Sequence, residues 1–277
     1  MEIRQLLIGL VLAAFIAFAA YGFKALNSGG SWAAFVLGTV VFGLGGFAWA
    51  LVLMVFFITS SGLSILFKKQ KSTAEEKYAK GSRRDERQVL ANGGLAGIAV
   101  IVHVFFPASN LPWLAFAAAF AAANADTWAT ELGVLSKTSP RLIHTGKAVP
   151  AGTSGGISLT GMLAAAAGSL AIAATAYLSW PLTGIASTNR MLFSLIIAVA
   201  GFLGSVIDSL IGATVQGIFW CPVCHKETEK SPLHSCGTAT ELCRGKKWIT
   251  NDWVNIMCTG SAILLATFAC VLLLGAN

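Results

Sequence analysis

The chain is a succession of long apolar runs separated by short polar stretches. An apolar run of about 20 residues crosses a bilayer as an α-helix. Seven such runs are predicted: Leu6–Phe23, Ser31–Ile58, Ala91–Phe106, Leu111–Ala125, Ile157–Ser179, Met191–Gln216 and Val254–Leu274. The second is long and glycine-rich, which predicts a tilted or broken helix. The third and fourth are short and carry polar ends. The first follows Glu2 and Arg4 and ends near Ala19 and Ala20, much as a secretory signal would. It is longer than the apolar core of a signal and further spans follow, so it reads as a span.

Composition sharpens this picture. Of 277 residues, 56% are hydrophobic and 11% charged, about half the charged share of a soluble domain. A soluble core of this size cannot hide so much apolar surface. A soluble globular protein, a disordered chain and a nucleic-acid-binding domain are excluded. What remains is an all-α, polytopic helical membrane bundle forming a single membrane domain.

The net charge of +7 matters through its placement. Of 19 Lys and Arg, Arg4 precedes the first span, eight lie in 68–87, three in 137–147 and five in 226–247. Only Lys24 and Arg190 fall in the alternate loops. With seven spans, the positive-inside rule puts the N-terminus and the three long loops in the cytosol and the C-terminus outside. All the polar motifs then fall at the inner face.

The segment 68–87 alternates in sign and reads as a solvated amphipathic loop helix near anionic headgroups. Its end, Arg83-Arg84-Asp85-Glu86-Arg87-Gln88, runs into Ala91-Asn92-Gly93-Gly94. Arginines beside a glycine turn at a span entrance suit phosphate binding. The middle of the chain echoes itself. Asn92-Gly93-Gly94 and Ser154-Gly155-Gly156 each open a span, and each returning span ends in Asp then a hydroxyl, Asp126-Thr127 and Asp208-Ser209. This predicts two parallel helical hairpins, about 88–135 and 152–216, followed by a Cys-rich cytosolic loop at 217–250.

The sharpest stretch runs from Asn124 through Asp126, Thr127, Thr130 and Glu131 to Gly133. Ionisable groups inside a membrane are costly and are usually functional. Asp126 and Glu131 are five residues apart, roughly 140° around a helix axis. They can share one metal only if the helix ends or unwinds between them. Asp208 sits among Gly204, Ser205, Ser209 and Gly212, and is expensive there unless paired with a cation. Between these helices lies a loop containing Lys137, Arg141, His144, Lys147 and the turn Gly152-Thr153-Ser154-Gly155-Gly156. That turn can offer backbone N–H groups to an anion at a helix N-terminus. It lacks the spacing of a Walker A loop. Beside the acidic helix ends it points to a metal–phosphate site. His144 reads as a polar loop residue and His103 as structural. Asn251, Asp252 and Asn255 begin the last span and either cap it or complete the site.

Cys221-Pro-Val-Cys224-His225 is followed by His234, Cys236 and Cys243. A C-x-x-C turn is a zinc-knuckle signal. Cys221, Cys224 and Cys236, with either His234 or Cys243, would complete a tetrahedral structural site. The C-x-x-C-H haem-attachment pattern also matches, but its chemistry needs the outer face. Cys258 and Cys270 read as packing residues in the last span.

The motifs around Arg87–Gly94, Asn124–Gly133, Gly152–Gly156 and Gly204–Gln216 resemble the family catalogued as domain of unknown function 92. That family includes the eukaryotic transmembrane protein 19 and a plant chloroplast phytyl-phosphate kinase. The resemblance covers nearly the whole chain, although the Cys-rich insert is not a feature associated with the animal members. It implies transfer of a phosphoryl group from CTP or ATP to an isoprenoid monophosphate, with a Mg²⁺ or Mn²⁺ cofactor. On the reading of the residues themselves, Asp126, Glu131 and Asp208 are assigned to the metal and Arg84, Arg87 and Lys147 to phosphates. The turns Asn92-Gly93-Gly94 and Ser154-Gly155-Gly156 would supply backbone donors, and the isoprenoid tail would lie between spans. Two rival readings use the same residues. One is nucleotidyl transfer to a lipid phosphate. The other is transport, which repeated hairpins and acidic groups within a membrane also suit.

Overall fold

The computed structural model describes residues 3–67 and 83–274, so the amphipathic loop helix predicted from residue 68 lies, up to residue 82, outside the described residues. Eight long helices are described. They are α1 (Ile3–Gly22), α2 (Ser28–Val40), continued by a π-helical turn (Val41–Gly45), α3 (Phe47–Leu66) and α4 (Glu86–Phe105). Then come α5 (Leu111–Gly133), α6 (Leu159–Ser179), α7 (Arg190–Thr214) and α8 (Asn251–Leu274). Seven of them are long and apolar enough to cross a membrane, the expected number, but not the same seven. The expected run Ser31–Ile58 is two helices, and α5 falls short in hydropathy because its last third is polar.

The break lies at Gly46, whose φ of 82° and ψ of −164° reverse the chain between the π-turn and α3. Its consequence is directional. The backbone at Arg84, beside the start of α4, exchanges hydrogen bonds of 3.0 Å with Ala25 and Asn27, between α1 and α2. At the other end, Gln5 Nε2 donates to the Gly43 carbonyl at 3.1 Å. The helices alternate from there, so both Ile3 and Leu274 lie at the end opposite the motif loops. The seven-span reading had put the N-terminus with those loops. It also put Arg4 with them and Lys24 opposite. The structure exchanges these two cations, which is why the charge count did not reveal the extra helix.

Local signals set the other boundaries. The Asn27 side chain accepts from Gly30 N at the start of α2, Asp85 from Gln88 N at α4, and Ser158 from Gly161 N at α6. These side chains satisfy helix N–H groups that have no intrahelical partner. Pro112 occupies the first turn of α5, where a missing N–H costs nothing.

Burial is inverted relative to a soluble protein. On α1, Leu7, Val11, Phe15 and Phe18 point outward, while Gly9, Ala13, Ala17 and Ala20 face the bundle. Small residues let helices approach closely where lipid supplies no hydrophobic drive. A Cβ on Gly9 would sit 2.6 Å from the Gly43 nitrogen, and one on Gly204 2.8 Å from the Ala122 Cβ. α5 is the axis of the bundle. Every residue from Pro112 to Ala125 is buried, enclosed by α3, α4, α6, α7 and α8. At the end away from the motif loops the core is aromatic. Trp49 packs on Trp113 and Phe116, and Trp180 on Phe193, with ring centroids 4.8–5.1 Å apart.

The loops at the motif end carry two small antiparallel sheets that the sequence did not predict. β1 (Arg141–Leu142) pairs with β2 (Gly156–Ile157). β3 (Ile218–Cys221) lies between β4 (Lys226–Thr228) and β5 (Glu241–Arg244) in the Cys-rich loop.

Candidate functional site

α3, α5 and α7 end, and α4, α6 and α8 begin, around one cavity of about 1190 Å³ at the motif end of the bundle. Asp126 on α5 and Asp208 on α7 both line it and lie close to one another. One Asp208 carboxylate oxygen, Oδ2, is buried with no hydrogen-bond partner among the described residues. Glu229, just after β4, adds a third acid within electrostatic reach of Asp208. Two carboxylates so placed carry a proton or a cation between them, because both cannot ionise side by side unaided. Glu229 carries no signal in the sequence, since an acid in a polar loop is unremarked until the fold brings it inward.

Glu131 belongs to a different group. α5 continues without interruption to Gly133, so the 140° offset from Asp126 stands and the condition for a shared metal is not met. The buried Glu131 carboxylate accepts from Ser64 Oγ at 2.6 Å and faces Arg84. Burial pushes the Arg84 pKa below its ordinary value and Glu131 partly restores it. The guanidinium also lies 5.6 Å from the centre of the Phe56 ring, a cation–π distance. Glu131 therefore faces Arg84 as its counterion and also lines the cavity, but the uninterrupted helix does not let it share one ion with Asp126.

Several predicted residues do line the cavity: Arg84, Arg87, Asn92, Thr127, Thr130, Thr153 to Gly156, Ser209, Asn251, Asp252 and Asn255. The turn at 153–156 does not open a helix as expected: Gly156 begins β2 and donates its N–H to the Thr153 carbonyl at 2.9 Å, and α6 starts at Leu159. Gly155 has φ of 77°, and a Cβ there would collide with the backbone of Ala213, so only glycine lets the turn seat against α7. Ser154 Oγ donates to Gln216 Oε1, and Gln216 Nε2 donates to Glu229 Oε1 at 3.0 Å. This chain ties the turn to the Cys-rich loop. Arg244 reinforces it, donating to the carbonyls of Gly212, Ala213 and Ser154.

Others are elsewhere. Asn124 is fully buried below the cavity. Its Oδ1 accepts from Thr59 and Ser60, and its Nδ2 donates to the Gly168 carbonyl, joining α3, α5 and α6. Asn92, Gly93 and Gly94 are not a turn at a span entrance but lie two turns inside α4. Their N–H groups serve the helix. Gly93 instead makes room for Leu37, whose Cδ2 would lie 2.5 Å from an added Cβ. Lys147 is exposed on the turn after β1 and does not line the cavity. Among the described residues, the lysines that do are Lys137, Lys230 and Lys247. His144 is exposed outside the cavity, and His103 packs on Trp49 at a tilt of 35° at the opposite end.

A narrow apolar cleft runs between α1, α2, α3 and α4, lined by residues such as Ala17, Leu37, Phe42 and Phe57. It shares Arg84, Gln88 and Asn92 with the polar cavity.

In the Cys-rich loop, ligand atoms of Cys221, Cys224, His234 and Cys236 all lie within 4.8 Å of one another. Cys243 is not among them; its thiol donates to the Ile218 carbonyl. Hydrogen bonding with Thr238 and His234 holds the Cys236 thiol down at about 5, while contact with that sulfur pushes Cys224 up to about 11.

The integral membrane protein family DUF92 matches residues 11–263. Protein PGR of Arabidopsis thaliana is 32% identical over 281 residues, covering 95% of this chain and 94% of that protein. An uncharacterized membrane protein of Methanocaldococcus jannaschii is 30% identical over 196 residues, or 70% of this chain and 76% of its own length. Protein VTE6, chloroplastic, also of A. thaliana, is 25% identical over 236 residues, covering 84% of this chain and 61% of that protein. No solved structure matches the chain.

Proposed function

The chain belongs to the integral membrane protein family DUF92, and from that premise we propose that it transfers a phosphoryl group from a nucleoside triphosphate to an isoprenoid monophosphate. The observation that carries the reading is the junction of the polar cavity and the apolar cleft at Arg84, Gln88 and Asn92. An amphiphile with a phosphate head suits such a junction, although the cleft, about 60 Å³, takes only the first carbons of a tail, whose remainder would lie against the lipid-facing helices. The head would meet Arg84 and Arg87, and the tail would run toward Leu37 and Phe57.

The acceptor needs little chemical activation. A phosphate monoester is largely dianionic at neutral pH, its second pKa being near 6. Phosphoryl transfer then rests on positioning and charge neutralisation. The cavity suits this, with arginines and lysines around the carboxylate pair and no histidine outside the cysteine cluster. Asp126 and Asp208 are the residues that would hold Mg²⁺ or Mn²⁺, and the buried, unsatisfied Asp208 Oδ2 fits that role. Mg²⁺ sites commonly use one or two carboxylates and complete their shell with water and phosphate oxygens. The ion would neutralise charge on the transferring phosphate. Lys137, Lys230 and Lys247 are suited to the remaining phosphates of the nucleotide. The concentration of cations at this end supports a cytosolic cavity, where nucleotide is available.

The transport reading is disfavoured by the aromatic core, because Trp49, Trp113, Phe116 and Trp180 are buried and close the opposite half of the bundle. The test uses detergent-purified protein with Mg²⁺, labelled CTP or ATP and a panel of isoprenoid monophosphates. Isoprenoid diphosphate and nucleoside diphosphate are the expected products. Inorganic pyrophosphate would establish nucleotidyl transfer instead. No product across the panel from folded protein would overturn the enzyme reading.

A further inference from the structure

We propose that Cys221, Cys224, His234 and Cys236 bind one zinc ion in a closed Cys₃His site, and that this ion holds the wall of the cavity that carries Glu229 and Lys230. The argument starts from two facing turns. One reverses the chain between β3 and β4, with His225 at φ 49°, and presents Cys221 and Cys224. The other is closed by hydrogen bonds from His234 N to the Thr238 carbonyl and from Gly237 N to the His234 carbonyl, both 2.9 Å. It presents His234 and Cys236.

The spacing is that of ligands around one ion. Tetrahedral zinc with Zn–S of about 2.3 Å and Zn–N of about 2.0 Å sets ligand atoms about 3.5–3.8 Å apart. The Cys221 and Cys236 sulfurs are 3.6 Å apart, and His234 Nδ1 is 3.2 Å from the Cys236 sulfur. A disulfide requires about 2.05 Å, and all four cysteines of the loop are free. The Cys224 backbone N–H points at the Cys221 sulfur at 3.5 Å, the outer-shell contact that orients a metal-bound thiolate. Four protein ligands leave no open position, so the site is structural.

The chain between the two turns carries Glu229 and Lys230, and with them the link from Glu229 through Gln216 to Ser154. Lys230 is held from the His234 side. Its Nζ donates to Ser235 Oγ, and its carbonyl accepts from Thr240 Oγ1 at 3.0 Å. Joining the two turns through a metal therefore fixes this strap at both ends. The metal assignment does not depend on the reaction proposed above and is read without any turnover assay.

The experiment measures zinc by mass spectrometry in full-length protein purified in detergent without a polyhistidine tag. One zinc per chain is expected. Cys236→Ser should lower the content about tenfold or more, because each ligand is needed for structural affinity. Cys243→Ser should keep it at one. Should Cys236→Ser not fold, Co²⁺ exchanged into the unaltered protein gives a second reading, the visible absorption of a tetrahedral thiolate site. Unaltered protein that holds no zinc and takes up no Co²⁺ overturns the proposal. So does loss of zinc in Cys243→Ser.

Discussion

Replacing Asp208 by asparagine separates a metal site from a merely structural carboxylate, because the two predict opposite signs for stability. The change is isosteric. Asp208 lies close to Asp126, its Oδ2 has no hydrogen-bond partner among the described residues, and Glu229 adds charge nearby. Two full charges about 4 Å apart at an effective permittivity of about 20 repel by about 4 kcal/mol. A shared proton relieves most of this in the metal-free protein, leaving a gain of about 1 kcal/mol on removing one acid. That is a rise in Tm of roughly 2–4 °C for a chain of this size. With Mg²⁺ the order reverses. A hundredfold excess over its dissociation constant adds about 2.7 kcal/mol to the unaltered protein and nothing to a variant that cannot bind it. Turnover of the isoprenoid monophosphate should fall about 10²–10³-fold, the scale of losing one electrostatic stabiliser. The assay is thermal unfolding in detergent with EDTA and with Mg²⁺, beside product formation. A Tm below the unaltered protein in EDTA, or an undiminished Mg²⁺ shift in the variant, would refute the reasoning.

Three further substitutions probe the neighbours. Glu131→Gln should destabilise by about 1–2 kcal/mol, a buried-pair loss discounted because Arg84 keeps some solvent exposure, and should leave the Mg²⁺ shift in Tm intact. Asn124→Leu removes three hydrogen bonds between α3, α5 and α6 and should cost about 1–3 kcal/mol. Turnover per folded molecule should stay the same, measured against the folded fraction. Lys147→Ala should leave turnover within about twofold, as expected of an exposed side chain outside the cavity; a larger loss would return it to the phosphates.

Asp126 and Asp208 were legible from sequence because a carboxylate in an apolar helix is expensive wherever the helix packs. Glu229 and Lys230 were not, because a charge in a polar loop carries no such signal and only the fold of the Cys-rich loop brings it to the cavity. The same limit left His234 and Cys243 as equal candidates for the fourth ligand. Glycines misled in both directions. At Asn92-Gly93-Gly94 they suggested a turn, but Gly93 serves helix packing against Leu37. In Ser31–Ile58 they hid a true reversal, because Gly46 turns the chain without any polar residue to mark it. The exchange of Lys24 for Arg4 then kept the charge balance intact, so the strongest argument from sequence was blind to the eighth helix.

That reversal at Gly46 has a practical side. It brings the first and last described residues to the same end of the bundle, away from the carboxylate pair. A reporter domain fused at either terminus would therefore sit in the same compartment, across the bilayer from the cavity. A fluorescent protein or phosphatase fused to each end in turn would give matching signals, whereas seven crossings require opposite ones. Anchoring the protein to a bead by either end would leave the cavity facing free solution.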